Sequence, residues 1–301
     1  MTGSLYNTVS TCLQHTCAVG GVKPRVAFCP SNGKGTRSLT HYRSKYIRIN
    51  MSRNSENGNE ARSDQRVRQV LTSDQRVCLD MTDDREFYSI PRLVEHSDDL
   101  FRRDLSRLYD KMIPDNSAFG EQQKTRILDL CSSHVSHLPK GKQYSVVGHG
   151  MNAVELGRNP ELESFFIRDL NKDPEDWAMS SNSVDAVLCC CSIQYLRFPE
   201  KIAREILRVL KPGGVCIISF TNRMFHQKAI RAWRDNTEYG RVQLVKQYFD
   251  SASGFSEPQV VTRIDGPDSI WGNLKVSILK ALKGGQRDPF YAVISYKLLN
   301  D

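Results

Sequence analysis

"SNSVDAVLCCCSIQYLRFPEKIAREILRVLKPGG", residues 181–214, is the stretch that decides the fold. Residues 183–191 are apolar on both faces apart from Asp185, the pattern of a central parallel strand covered from both sides. Residues 199–210 follow, with Ile202, Ile206, Leu207 and Leu210 on one helical face. Pro212 ends that helix, and Gly213 and Gly214 turn the chain into the next apolar run, "GVCIISF". Strand, helix and strand in that order make a βαβ unit.

The same alternation extends both ways. Upstream, "RILDL" (126–130), "YSVVGH" (144–149) and "SFFIRDL" (164–170) read as strands, with a helix through residues 151–157. Downstream, helices are predicted over 225–235 and 240–249, and late strands in "QVVTRI" and "PFYAVISYKL". This order predicts an α/β, Rossmann-like fold with a mostly parallel sheet and helices on both faces. Ligands in such sheets bind beyond the carboxyl ends of the strands. The expected site is therefore the set of turns after Leu130, His149, Ile167, Cys191 and Phe220. Ahead of the sheet, Leu93, Val94, Phe101, Leu105, Leu108 and Met112 recur at three- and four-residue steps. They predict an N-terminal helical cap over 90–112, with Pro91 at its start and Pro114 past its end.

The chain has 301 residues and a hydrophobic fraction of 39%, enough for a substantial core. No apolar run approaches the roughly 20 residues of a membrane helix. The formal charge is +8, from 42 basic and 34 acidic residues. Residues 1–55 contain no Asp or Glu and hold eight of the basic residues, which leaves 34 against 34 elsewhere. The remainder has no net field to attract polyanions, so a nucleic-acid partner is not expected. A basic, Ser- and Thr-rich segment without acids has the composition of an organellar transit peptide. Its first 22 residues lack charged side chains, which points to a chloroplast before a mitochondrion; a disordered basic tail is the plainer alternative. Residues 56–84 are expected to be a linker and 85–301 the folded domain.

Nine cysteines show no C-x-x-C spacing, so neither a zinc knuckle nor a disulfide scaffold is implied. In a strand, Cys189 and Cys191 face one way and Cys190 the other. Small buried apolar residues are one reading of that run; a redox-sensing thiol is the other. His134 and His137 have no acid or Cys at metal spacing, and no metal site is expected.

Residues 126–220 resemble the class I S-adenosylmethionine-dependent methyltransferases. Asp185, Pro199, Glu205, Arg208 to Lys211, Pro212, Gly213 and Gly214 carry the likeness. "ILDLCSSHVSHLP", "VVGHGMN" and "SFTNRMF" are similar to a plastid and cyanobacterial subgroup whose first motif lacks the usual glycines. The resemblance implies a seven-stranded sheet whose last strand is antiparallel, S-adenosylmethionine as cofactor, and methyl transfer to a small molecule. The family's first loop reads D-x-G-x-G. Here Asp129 is kept, and Cys131 and Ser133 take the glycine positions.

The resemblance places the cofactor against Asp129, Cys131, Ser132, Ser133, Asn152, Asp169 and Leu170. Ser132 and Ser133 add hydroxyls able to bond a carboxylate or ammonium. The acid that normally takes the ribose hydroxyls falls on Gly150, and Glu155 lies further along the next helix. Asp169 falls where the family's acid meets the adenine amino group, although an Asp there also caps turns. The substrate side would be framed by Gln194, Tyr195, Asn222 and Arg223, with Trp233 and Trp271 as possible walls or plain core. Tyr195 or His226 would be the groups to assist deprotonation, and no catalytic residue is assigned. The alternative is a non-catalytic protein that keeps the fold and binds a ligand or partner. Composition leaves the oligomeric state open.

Overall fold

A computed structural model describes residues 68–115, 124–262 and 288–299. The transit-like segment 1–55, residues 56–67 of the expected linker and Trp271 lie outside these residues. The strands are β1 (Thr125–Leu130), β2 (Tyr144–Gly150), β3 (Ser164–Ile167), β4 (Val184–Cys190), β5 (Leu210–Phe220), β6 (Gln259–Val261) and β7 (Tyr291–Tyr296). They form one sheet in the order β3-β2-β1-β4-β5-β7-β6. Strands β1 to β5 pair in parallel, and β7 runs antiparallel to both β5 and β6. This is the expected architecture, last antiparallel strand included.

Alternate residues of the central strands feed two cores, one on each face of the sheet. Leu128, Val187, Cys189 and Ile218 belong to one cluster, and Ile127, Leu188 and Ile217 to the other. Helices α4 (Pro199–Val209) and α6 (Glu238–Asp250) pack on the first face through residues such as Ile202, Ile206, Val245 and Phe249. Helix α2 (Asp99–Met112) covers the second with Phe101, Leu105, Leu108 and Tyr109. Two acids of the deciding stretch, Asp185 and Glu205, are structural. Asp185 accepts from the Arg126 amide and pairs with Lys211 at 2.8 Å. Glu205 takes the Trp177 amide at 3.0 Å and pairs with Arg208.

Several boundaries differ from expectation. The cap helix begins at Asp99, because Asp98 receives the Phe101 amide at 2.7 Å and caps it. Residues 90–98 are irregular, Val94 is 58% exposed, and a separate short helix, α1, spans Asp84–Phe87. Residues 225–235 contain one helical turn, α5 (Arg231–Arg234). Lys211 to Gly214 are no helix-ending turn. Leu210 already pairs with Val184, and the register then jumps to Ala186 opposite Val215, so the four residues bulge from β5. Gly213 there has φ 77, a conformation that costs Gly little. Cys191 has left β4 with φ 50 and packs on the same face as Cys190, not opposite it.

The expected linker is also corrected at its end, since residues 68–84 are docked on the domain. Leu71 and Cys78 are buried. The Val70 and Leu71 amides donate to Glu200 Oε1 at 2.9 and 3.0 Å, and both Arg76 Nη groups bind the Glu200 carboxylate at 2.9 and 2.8 Å. No described helix is long and apolar enough to cross a membrane.

Candidate functional site

The strand order reverses between β1 and β4, where Leu130 pairs with Cys189. A cavity of ≈ 390 Å³ opens beyond these strand ends, of the size small ligands occupy. Its floor is built by the loop after β1. Cys131 adopts φ 56, the left-handed region where a side chain is costly. The turn lets the Cys131 amide donate to His149 Nδ1 at 3.2 Å and the Ser132 amide to the His149 carbonyl at 2.7 Å. His149 Nε2 then carries the hydrogen to the Arg168 carbonyl at 2.9 Å. The imidazole thus ties β2 to both neighbouring loops.

Loop hydroxyls turn inward. Asp129 Oδ2 accepts from Ser132 Oγ and Ser136 Oγ, each at 2.6 Å. Burial pushes the Asp129 carboxyl up to about 6, with both hydroxyls opposing it. Cys131 faces Cys189; the hydrogen bond from that thiol lowers its pKa, His149 adds to this, and burial opposes it.

A glycine is still needed here, but on the other strand. A Cβ at Gly150 would stand 2.7 Å from the Ser132 carbonyl oxygen. The serine loop lies where the side chain of an acid at 150 would begin. Glu155 supplies a carboxylate instead. Asn152 caps α3 (Ala153–Arg158), accepting from the Val154 and Glu155 amides, and Glu155 is the third residue of that helix. Its Oε2 accepts from Ser133 Oγ at 2.7 Å and its Oε1 from the Arg92 amide at 2.6 Å. Asn152 itself is spent on the fold, since its Nδ2 donates to the Tyr88 and Ser89 carbonyls.

Asp169 combines both sequence readings. Oδ1 caps a turn by accepting the Asn171 amide at 2.9 Å. Oδ2 is buried with no hydrogen-bond partner, and Lys172 Nζ is 3.9 Å away. Leu170, 3% exposed, lines the cavity beside it.

On the substrate side, Tyr195, Arg223, Met224 and Phe225 line the cavity. Tyr195 Oη accepts the Phe225 amide at 2.8 Å, and burial pushes its phenol up to about 12. Arg223 pairs with Asp288 at 2.6 Å. Gln194 and Asn222 are not among the lining residues. Gln194 is buried behind the wall, donating to the Cys191 carbonyl, and Asn222 points to solvent. His226 is exposed, and Trp233 is core, edge-on to Phe220 at 4.9 Å. The roof is residues 84–97, including Tyr88, Arg92 and His96, which sequence periodicity had assigned partly to a helix.

Residues 147–218 match the family model described as a methyltransferase domain. No curated protein matches the chain. Among solved structures, a putative S-adenosylmethionine-dependent methyltransferase from Listeria monocytogenes is 14% identical with a TM-score of 0.43, covering 67% of this chain and 100% of that one. One from Mesorhizobium loti is 14% identical with a TM-score of 0.39, covering 64% and 96%. Strand order and the match over residues 147–218 together give an α/β, Rossmann-like methyltransferase fold. In this chain the loop after β1 carries Cys131, Ser132 and Ser133, and the glycine that allows close backbone approach lies at the end of β2.

Proposed function

We propose that the protein binds S-adenosylmethionine in this cavity and transfers its methyl group to a small molecule. The observation that carries the reading is Asp169 Oδ2, a buried acceptor without a donor at the mouth of β3. Such an atom costs about 1–3 kcal/mol when unmet, and the adenine amino group is the donor that would meet it. Leu170 would pack on the base, and the Glu155 carboxylate would take the ribose hydroxyls. The bound sulfonium supplies an electrophilic methyl group with a neutral thioether as its leaving group. The chain's task is then alignment and exclusion of water. Tyr195, kept neutral by its raised pKa, positions the 225 loop. His96 lines the cavity with its pKa lowered by burial, so it is the neutral imidazole fit to accept a proton.

A non-catalytic protein on the same fold is the second reading. It is favoured by one observation, that the Ser132 and Ser133 hydroxyls are bonded within the protein. Melting of the full chain with and without S-adenosylmethionine or S-adenosylhomocysteine separates the two. Ligand at 100 times its dissociation constant adds about 2.7 kcal/mol; an unchanged melting temperature at millimolar ligand refutes cofactor binding. Residues 1–55 support a plastid location, and a fluorescent fusion of the full chain in plant cells tests it.

A further inference from the structure

Arg92 occupies an unusual place in the cavity roof. Its guanidinium stands 4.4 Å over the Phe87 ring and 5.5 and 5.8 Å from the rings of Phe225 and Tyr88. Nη2 donates to the Phe87 carbonyl at 2.9 Å. Nη1 is buried and has no partner. Among the described residues no carboxylate forms an ion pair with this side chain, although acids surround the cavity. Asp84 pairs with Lys228 at 3.1 Å, Glu95 with Arg102, and Asp288 with Arg223. Glu155 meets Arg92 only through its main-chain amide. A guanidinium held rigid on aromatic faces, with two N–H groups unused, is prepared for a planar oxyanion.

The geometry points to an acceptor substrate that carries a carboxylate on a flat aromatic body, its carboxylate bound by Arg92 Nη1. Nη2 is already engaged, so one carboxylate oxygen is taken and not a bidentate pair. Phe225 and Tyr195, with ring centroids 5.9 Å apart, and His96, 5.5 Å from Phe225, offer the wall for the ring. The assignment deepens the methyltransferase reading and rests on it for the word acceptor.

The test compares 4-hydroxybenzoate with its neutral isostere 4-hydroxybenzamide, by ligand-observed NMR titration of the full chain with and without S-adenosylhomocysteine. The acid is expected to bind about tenfold to a hundredfold more tightly, the worth of a charged hydrogen bond. Arg92→Met removes the preference, and Arg92→Lys retains part of it, which guards against a loss of fold. No binding of the acid up to about 10 mM, a Kd scale of weak fragments, overturns the proposal. So does equal affinity for the amide, or a preference that survives in Arg92→Met. Failure of S-adenosylhomocysteine to bind would sink the cofactor reading alone, because acid and amide are also compared in its absence.

Discussion

Gly150→Ala tests how the serine loop is accommodated. The new Cβ would stand 2.7 Å from the Ser132 carbonyl oxygen and 3.2 and 3.3 Å from the Leu156 methyl groups. The carbonyl has little room to retreat. Its residue is tied by the amide to His149 at 2.7 Å and by the hydroxyl to Asp129 at 2.6 Å. Overpacking of this kind costs about 1–3 kcal/mol. Each kcal/mol lowers the melting temperature of a domain this size by about 2–4 °C, so a fall of about 2–12 °C is expected. Movement of the loop would also carry Ser133 off Glu155, and S-adenosylhomocysteine affinity should fall with stability. Gly150→Asp restores the acid that the family resemblance puts at the end of β2, yet it places the same Cβ in the same clash. It should be no more stable than the alanine variant and bind no better than wild type. Differential scanning fluorimetry with a ligand titration reads both quantities. A wild-type melting temperature in Gly150→Ala, or tighter binding in Gly150→Asp, would refute the idea that the glycine has moved from loop to strand.

Three further outcomes are expected. Glu155→Gln should weaken S-adenosylmethionine about tenfold to a hundredfold, the range for one charge-assisted hydrogen bond, as read by calorimetric titration; an unchanged Kd would remove Glu155 from the proposed ribose site. Because burial lifts Asp129 from 3.8 to about 6, the folded state holds that proton more tightly than the unfolded chain. Stability should therefore fall as pH rises from about 4 to about 6, by about 3 kcal/mol from this group; urea melts of Asp129→Asn should show a flatter curve, and parallel curves would contradict it. Cys131 lines the cavity with a lowered pKa, and iodoacetamide should modify it before Cys78, Cys189, Cys190, Cys191 or Cys216. S-adenosylhomocysteine should protect it; peptide mass mapping decides, and labelling of any of those five before Cys131 would count against a reactive thiolate in the cavity.

The sheet was legible because its strands are short apolar runs separated by helical periodicity. Errors arose where a local pattern met a tertiary one. Leu93 and Val94 continue the three- and four-residue spacing of α2, but Asp98 caps the helix after them and Glu155 captures the Arg92 amide. Lys211 to Gly214 read as a stop signal because helix termination and a β-bulge use the same residues, Pro and Gly. Asp129, near the end of β1, and Asp169 and Leu170, just past β3, line the cavity at the positions that the family resemblance marked. Glu155 and Arg92 could not be placed at the cavity from sequence, because they are held there by contacts across 22 and 63 positions. Gln194 looked like a lining residue from its place after β4, and the turn Ile193–Tyr195 swings it behind the wall.

The docking of residues 68–84 bears on how this protein should be handled. A shortened clone opening at residue 85 would lay bare the seat of Leu71, an apolar surface worth about 1.5–3 kcal/mol when covered. It would also strip Glu200 of the four N–H donors that Val70, Leu71 and Arg76 provide. Such a fragment should self-associate on purification, and its melting curve would track the lost clamp more than any occupant of the cavity.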